Sequence, residues 1–248
     1  MSVHTCCLKG FEWNGSPGGE TSKIADTDTY VVGHNPNAAV LLIHDLFGWS
    51  FPNIRLLADH YAREANVTVY VPDFFKGDSL PVDLLVNEKW AELDIPGFLG
   101  RNGRQVREPL IFDVVRALRQ KHAKVGAIGF CYGGWAVFRL GSASHKQPLV
   151  DFITAAHPSL LTKEDIDNVA VPTQGLGPEI DPAFTTELKL HTFQTMLGKN
   201  VPFEYVHFPG VAHACLVRGD ESREGERTAM VRGKDAAVGW MKQFLGNE

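Results

Sequence analysis

The residue best suited to nucleophilic chemistry is a cysteine with glycines two positions before and after it, in the run Gly-Phe-Cys-Tyr-Gly at residues 129–133. The apolar residues 124–128 predict a buried strand before this run, and residues 135–140 predict a helix after it. A strand that turns directly into a helix must reverse sharply, and the glycines leave room for this because they carry no Cβ. Such a turn lifts the sulfur of Cys131 above the sheet, where the helix N-terminus favours the thiolate over the thiol.

This cysteine has two interpretations. It is either a reactive thiol or a buried structural cysteine, since free cysteines are commonly buried and inert. The strand, turn and helix match the G-x-S-x-G elbow of α/β-hydrolases with cysteine in place of serine, and in that fold the nucleophile, the acid and the histidine follow in this order. A thiol nucleophile needs a base, and the base needs a carboxylate that orients it. Asp181 and His213 follow Cys131 in that order, each after a predicted strand.

Both partners of the cysteine have competitors. Glu179 lies in the same predicted loop as Asp181, and a carboxylate directly before a proline is also typical of a helix start. His157 competes with His213 because it too ends a predicted strand. We favour His213, which comes after both the acid and the last predicted strand. The histidines that fall on predicted helices, where we expect solvated side chains, are His60, His122 and His191.

Acyl transfer also requires two backbone N–H groups aimed at the oxygen that becomes negative. The amide of Tyr132, next to the nucleophile, is one candidate. The amide of Leu46 is the other, in the loop after the apolar run 39–44, where Gly48 keeps the turn open. The large side chains expected to shape the substrate pocket are those of Trp49, Phe75, Phe98 and Tyr132.

Predicted strands and helices alternate, which indicates an α/β fold with a mostly parallel, doubly wound sheet and helices on both faces. We expect one domain over residues 1–248, with an N-terminal arm or hairpin at 1–38 and a variable cover over the active-site mouth at 76–104. The helix predicted at 53–65 has Asn53 as its candidate cap. The other predicted helices are 108–121, 135–140, 185–197 and 223–244, and the predicted strands are 39–44, 67–71, 124–128, 150–156, 171–177 and 203–208.

The composition limits the classes of function. The chain of 248 residues has a formal net charge of −5, which argues against nucleic acid or an anionic membrane as its main partner. It has no apolar run near the ~20 residues that cross a bilayer and no apolar core of a signal peptide, so we expect a cytoplasmic protein. The spacing of its cysteines fits neither a metal site nor a disulfide framework. We therefore expect no metal or organic cofactor, and a monomer or a homodimer. The cysteines are Cys6, Cys7, Cys131 and Cys215.

Five motifs, taken in order, resemble those of one enzyme family. They lie at residues 43–49, 71–75, 129–134, 177–182 and 208–213. Over nearly its whole length the chain resembles the dienelactone hydrolase family, whose members are α/β-hydrolases with a cysteine nucleophile. The cysteine elbow with its two trailing glycines is the most specific of these motifs. The other four are weak singly and strong in this order.

The resemblance implies roles for the matching residues. The Cys-Asp-His triad of the family carries onto Cys131, Asp181 and His213. An acidic residue of the family helps to hold or release the proton of the thiol, and Asp45 matches its position, with an aspartate where the bacterial prototype has a glutamate. Arg218 is the nearest match to an arginine that grips the carboxylate of the substrate. A second such arginine comes from the cover segment, where the candidates are Arg101, Arg104 and Arg107.

These features predict hydrolysis of a small-molecule ester or lactone through a thioester of Cys131. Residues 213–215 read His-Ala-Cys where the family has His-Gly-Phe, a change that alters the shape of the pocket and makes Cys215 a predicted packing residue. Two alternatives remain open on the same fold. One is a non-hydrolytic isomerase, cyclase or lactone-binding receptor, and the other is a redox sensor that uses the thiol of Cys131.

Overall fold

The computed structural model of the protein describes residues 10–87 and 89–246. Cys6, Cys7 and the N-terminal residues considered for a signal peptide lie outside the described residues. Within the described ranges, no helix combines the length and apolar character that a membrane span requires.

In the described part of the chain, eight strands form one sheet in the order β1-β2-β4-β3-β5-β6-β7-β8. Strands β3 to β8 pair in parallel, and β1 and β2 form an antiparallel hairpin whose second strand joins β4. The predicted α/β fold with a mostly parallel sheet is thereby confirmed. The strands are β1 (Glu20–Ile24), β2 (Thr27–Val32), β3 (Ala38–Ile43), β4 (Thr68–Pro72), β5 (Lys124–Phe130), β6 (Ile153–Ala156), β7 (Thr173–Ile180) and β8 (Phe203–Ala212).

Helices cover both faces of this sheet, as the apolar sequence of the central strands predicts. All six residues of β3 are buried, and alternate side chains such as Leu41 and Leu42 belong to opposite core clusters. One cluster contains side chains of α4 to α7 and the other contains side chains of α1, α8 and α9. The helices are α1 (Pro52–Ala65), α2 (Val82–Val86), α3 (Ile95–Arg101), α4 (Arg104–Lys121), α5 (Gly133–Leu140), α6 (Lys163–Asn168), α7 (Thr186–Leu197), α8 (Cys215–Arg218) and α9 (Glu224–Leu245), with a 3-10 turn at Trp90–Glu92.

The last two strands run further than the sequence predicts. β7 continues to Ile180 and β8 to Ala212, and these two residues pair after a register shift between Pro178 and Ile180 in which β8 carries the extra residues. Because the strands are parallel and end together, Asp181 and His213 leave the sheet side by side at its C-terminal edge. β6 is shorter than predicted and begins only at Ile153.

Asn53 is not the cap of α1, which corrects the prediction. Phe51 occupies the cap position without a side-chain hydrogen bond, and Pro52 begins the helix because its fixed φ suits the first turn. The side chain of Asn53 is buried instead. Its Nδ2 donates to the carbonyl oxygens of Phe11 (2.7 Å) and Val217 (3.0 Å), and its Oδ1 accepts from the amide of Trp13 (2.9 Å). Asn53 thus ties the N-terminal segment to α8.

The expectation of a solvated side chain is wrong for His122. This histidine follows the last turn of α4 and is buried, with Nε2 2.9 Å from the hydroxyl of Tyr70 and Nδ1 2.9 Å from the carbonyl oxygen of Pro36. Burial lowers the pKa of His122. His60, in contrast, is exposed.

The buried amide of Asn53 supplies a test of how the N-terminal segment contributes to stability. We expect Asn53→Ala to lower the free energy of unfolding by roughly 2–3 kcal/mol, because it leaves buried backbone groups without partners. The matched control is Asn87→Ala. It removes one surface hydrogen bond, which the side-chain amide of Asn87 donates to the carbonyl oxygen of Asp83. Urea denaturation of both variants measures the difference, and equal stabilities would contradict this account.

Candidate active site

The predicted turn at Cys131 is strained. Cys131 has a φ of 47°, in the left-handed region that side chains with a Cβ rarely adopt, between the end of β5 and the start of α5. Its amide donates to the carbonyl oxygen of Ala156 (3.1 Å), and its own carbonyl accepts from the amide of Gly134 (2.9 Å). A Cβ on Gly129 would lie 2.2 Å from a backbone oxygen of the turn, and one on Gly133 would lie 2.3 Å from the oxygen of Ile43. Glycine is therefore required at both positions.

His213 and Asp181 form a buried hydrogen-bonded pair. His213 Nδ1 lies 2.8 Å from Asp181 Oδ1, and neither side chain is exposed to solvent. The same Oδ1 accepts from the amides of Ala183 (2.9 Å) and Phe184 (2.8 Å), so the backbone holds the carboxylate in place. Glu179, the competing acid, points away and accepts from the amide of Gly210 at 2.7 Å. An imidazole fixed by a carboxylate at Nδ1 presents Nε2 as a proton acceptor.

Ser159, which the motifs of the sequence do not single out, joins this pair to the cysteine. Its Oγ lies 3.3 Å from Cys131 Sγ and 3.4 Å from His213 Nε2, and its amide donates to the carbonyl oxygen of Cys131 at 2.8 Å. The thiol and the imidazole therefore share one hydroxyl neighbour. A signal was present, because Ser159 follows the predicted strand that ends at His157, and the ends of parallel strands meet at one edge.

His157, the competitor of His213, lies beside it. The two rings meet edge to face with centroids 4.9 Å apart, and His157 adopts a φ of 38° at the end of β6. His213 is the histidine that contacts the carboxylate of Asp181. The geometry therefore gives His213 the oriented imidazole and makes His157 a neighbour of its ring.

Asp45 and Arg218 form a buried ion pair. Arg218 Nε lies 2.5 Å from Asp45 Oδ2, while Asp45 Oδ1 accepts from the amide of Phe47 at 2.9 Å. The guanidinium carbon of Arg218 also lies 4.0 Å from the centroid of the Phe47 ring, a cation–π contact. The amide of Gly48, with a φ of +84°, donates to the carbonyl oxygen of Asp45 at 3.1 Å. These contacts fix the turn that contains Leu46.

The arginines of the cover segment are also bound within the protein. Arg101 pairs with Asp78 at the surface. Arg104 makes a bidentate pair with Asp165, at 2.7 and 2.8 Å. Arg107 donates to Asn102 Oδ1 (2.8 Å) and to the carbonyl oxygen of Phe75 (3.0 Å). All three arginines are therefore engaged by other groups of the protein.

Aromatic side chains connect the elbow to the cover. Phe75 meets the rings of Phe98 and Tyr132 edge to face, each at 5.0 Å. The hydroxyl of Tyr132 donates to the carbonyl oxygen of Asn102 at 2.6 Å, and burial raises the pKa of Tyr132. Trp49 is half-buried, with the guanidinium of Arg55 4.6 Å from its ring centroid.

The buried Asp45–Arg218 pair predicts a large loss of stability when one partner is removed. We expect Arg218→Met to lower the free energy of unfolding by about 3–5 kcal/mol, because the carboxylate of Asp45 is left buried without its counter-charge. Asp45→Asn in the same chain should recover part of this loss. Arg101→Met, which breaks an exposed pair, is the matched control and should change stability little. Urea denaturation decides, and equal losses in the two single variants would refute the argument.

The buried thiol of Cys215 should react with alkylating agents only when the protein is unfolded. Burial raises the pKa of Cys215 to about 12, so its thiol stays protonated and unreactive at neutral and mildly alkaline pH. We expect iodoacetamide at pH 8 to leave Cys215 unmodified in the folded protein and to alkylate it in urea. Mass mapping of the tryptic peptides measures both states, and rapid alkylation of folded Cys215 would contradict its predicted role as a packing residue.

Comparison with known proteins identifies the family of this chain. The sequence profile of the dienelactone hydrolase family matches residues 27–245. The hydrolase pyvD of Aspergillus violaceofuscus is 29% identical over 247 residues, which cover 97% of this chain and 96% of that protein. The carboxymethylenebutenolidase homolog of Mus musculus is 30% identical over 213 residues, which cover 84% and 82% of the two chains.

A structural comparison shows the same fold. The crystal structure of the dienelactone hydrolase from Anabaena variabilis is similar with a TM-score of 0.63 at 15% sequence identity, over 92% of this chain and 97% of that chain. The predicted resemblance is confirmed by the family match, which spans most of the sequence. The chain belongs to the dienelactone hydrolase family and is an α/β-hydrolase that cleaves esters or lactones.

Proposed function

We propose that this enzyme hydrolyses a small-molecule ester or lactone through a thioester of Cys131, with His213 as the base and Asp181 as the residue that orients it. One observation carries the proposal. The buried bond from His213 Nδ1 to Asp181 Oδ1, at 2.8 Å, lies at the sheet edge where the strained turn holds the buried Cys131, and one hydroxyl contacts both Cys131 Sγ and His213 Nε2. These contacts support nucleophilic acyl transfer, which needs a nucleophile, a base near it and a carboxylate that orients the base.

In the first half-reaction, the proton of the Cys131 thiol passes to His213 Nε2, and the thiolate attacks the carbonyl carbon of the substrate. The carbonyl oxygen becomes an oxyanion, which accepts from the amides of Leu46 and Tyr132. One such donor contributes about 3–4 kcal/mol in other enzymes. The carbon–oxygen bond to the alkoxide then breaks, and His213 Nε2 returns its proton to that oxygen. The product is an alcohol and a thioester; from a lactone, the alcohol stays attached to the acyl group.

In the second half-reaction, His213 Nε2 takes a proton from water as the water oxygen attacks the thioester carbonyl. The carbon–sulfur bond breaks, the carboxylic acid leaves, and the thiolate accepts the proton from His213. Asp181 stabilises the imidazolium in both halves, since its carboxylate is buried against Nδ1. This chemistry uses only a thiol, an imidazole and a carboxylate, so we propose that no metal or organic cofactor takes part.

The ion pair between Asp45 and Arg218 is proposed to hold the turn that carries the Leu46 amide. Both oxygens of Asp45 already accept bonds, from Arg218 and from the amide of Phe47. A role for Asp45 in gating the thiol proton, or for Arg218 in gripping a substrate carboxylate, therefore requires this pair to open when substrate binds. Trp49, half-buried beside the same turn, is the proposed contact for the apolar part of the substrate.

The remaining expectations from the sequence stand as parts of this proposal. They are a single α/β-hydrolase domain over residues 1–248, a cytoplasmic location, a monomer or homodimer, and a small-molecule substrate rather than nucleic acid or membrane. The negative net charge of the chain supports the last of these.

The proposal is tested with p-nitrophenyl acetate. We expect a burst of nitrophenol equal to the enzyme concentration, a 42 Da acetyl adduct on the Cys131 peptide, and loss of both in Cys131→Ala. We also expect kcat/KM to fall by at least about 10³-fold in that variant. Cys215→Ala, the same substitution at a buried thiol that the mechanism does not use, should keep the activity.

Two outcomes would overturn the proposal. Full hydrolysis by Cys131→Ala would remove the thiol from the mechanism. Tight binding of lactones and esters without turnover, by a correctly folded enzyme, would favour the receptor alternative, and conversion of a lactone to an isomer without uptake of water would favour the isomerase.

A further inference from the structure

Ser159 is held rigidly against the proposed nucleophile. Its amide donates to the carbonyl oxygen of Cys131 at 2.8 Å, and the side chain is buried, with 9% of the residue exposed. The preceding Pro158 packs onto the elbow helix so closely that a Cβ on Gly134 would lie 2.3 Å from the Cβ of the proline. Leu160, which follows, has a φ of 59°. The backbone around Ser159 therefore fixes its position independently of the contacts of its side chain.

The hydroxyl of Ser159 can serve two partners at once. A hydroxyl has one proton to donate and two lone pairs to accept with. Its oxygen lies 3.3 Å from Cys131 Sγ and 3.4 Å from His213 Nε2, distances that would shorten as a substrate closes the site. The sulfur and the nitrogen are the two atoms between which the proposed mechanism moves a proton.

The two protonation states of the pair make unequal use of this hydroxyl. In the neutral state, the weak S–H donor of Cys131 bonds to Ser159 Oγ, and the hydroxyl donates to His213 Nε2. In the ionised state, the hydroxyl donates to the thiolate and accepts from the imidazolium. Both bonds of the ionised state are charge-assisted, and such bonds are about twice as strong as neutral ones.

We propose that Ser159 is a further catalytic residue, whose hydroxyl bridges the thiol of Cys131 and the imidazole of His213 and stabilises the thiolate–imidazolium pair. The inference rests on the proposed function, because it assigns Ser159 a part in activating the same nucleophile. The proposed proton transfer is balanced. As the sulfur gives its proton to Oγ, Oγ gives its own to Nε2, and the serine is neutral before and after the step.

Other charged and titratable groups surround this bridge. Asp181 holds the far nitrogen of His213, and the ring of His157 lies 4.9 Å from that of His213. Asp45 is paired with Arg218 on the loop after β3, and the N-terminus of α5 follows the cysteine. A substitution of Ser159 changes the bridge alone and leaves these groups in place, so its effect on the thiol is separable from theirs.

The experiment compares Ser159→Ala and Ser159→Gly, which lack the hydroxyl, with Ser159→Thr, which keeps it. The hydrogen bond from the amide of residue 159 to the carbonyl oxygen of Cys131 survives in all three variants. If Ser159 had only a structural role, removing its hydroxyl would leave the reactivity of the Cys131 thiol unchanged. Ser142→Ala is the matched control, because Ser142 is a buried serine hydrogen-bonded to Ser144 through its hydroxyl. Thermal unfolding and circular dichroism establish that each variant is folded.

The readout is the rate at which iodoacetamide alkylates Cys131 as a function of pH, measured on the Cys131 peptide by mass spectrometry. Loss of a donor to the thiolate raises the pKa of the thiol. We therefore expect the alkylation midpoint of Ser159→Ala and Ser159→Gly to move up by about one pH unit, and kcat/KM for p-nitrophenyl acetate at pH 7 to fall about 10-fold or more. Ser159→Thr and Ser142→Ala should keep the wild-type midpoint.

The outcomes separate this inference from the proposed function. If the alkylation midpoints of the two hydroxyl-free variants equal that of the wild type, Ser159 has no catalytic role, whether or not Cys131→Ala is inactive. If Ser159→Thr shifts like Ser159→Ala, the hydroxyl is not the cause and the inference is equally overturned. If Cys131→Ala still hydrolyses the ester, the thioester mechanism fails, while the alkylation profiles still report whether Ser159 stabilises the thiolate.

Discussion

The left-handed backbone of Cys131 is the constraint on which the rest of the site depends. A residue with a Cβ keeps a φ of 47° only where its surroundings enforce it. Here the enforcement is local, because Cβ atoms on Gly129 and Gly133 would meet backbone atoms within 2.3 Å, and the amide and carbonyl of Cys131 are both hydrogen-bonded. The burial of β5 on both faces of the sheet and of nearly all residues of α5 offsets this strain. The result is a thiol held directly before a helix at the edge of the sheet.

Because the central strands pair in parallel, residues that follow different strands in the sequence lie close together at one edge of the sheet. The loops after β3, β5, β6, β7 and β8 all leave the sheet at its C-terminal edge, and each brings at least one polar side chain of the candidate site to that edge. These side chains are buried, and a buried polar group must be paired. Three hydrogen bonds at Asp181 Oδ1 and the ion pair of Asp45 with Arg218 supply such pairing, while Asp181 Oδ2 is buried without a hydrogen bond from the described residues. The polar side chains are Asp45, Cys131, Ser159, Asp181 and His213.

Predictions of helices and strands that rested on neighbouring residues agree with the structure apart from the ends of these elements, and the predictions that failed for Asn53 and His122 depended on distant partners. The helices and strands could be predicted because apolar spacing and glycine placement are local signals. Asn53 looked like a helix cap, yet its amide bonds to Val217, which is 164 positions away. His122 looked solvated, yet it bonds to Tyr70 and Pro36 across the edge of the fold. The sequence pattern contains no local signal for contacts of this kind.

The sequence by itself determined the alternation of strands and helices, the elbow around Cys131 and the family to which the chain belongs. The tertiary structure decided which side chains meet. The register shift between Pro178 and Ile180 sends Glu179 to the surface amide of Gly210, whereas Asp181 turns inward to His213. The contacts of Ser159 with the thiol and the imidazole arise in the same way. The physical reason is that a strand's register, and any bulge in it, selects the face on which each side chain emerges, and register is a property of paired strands rather than of one segment.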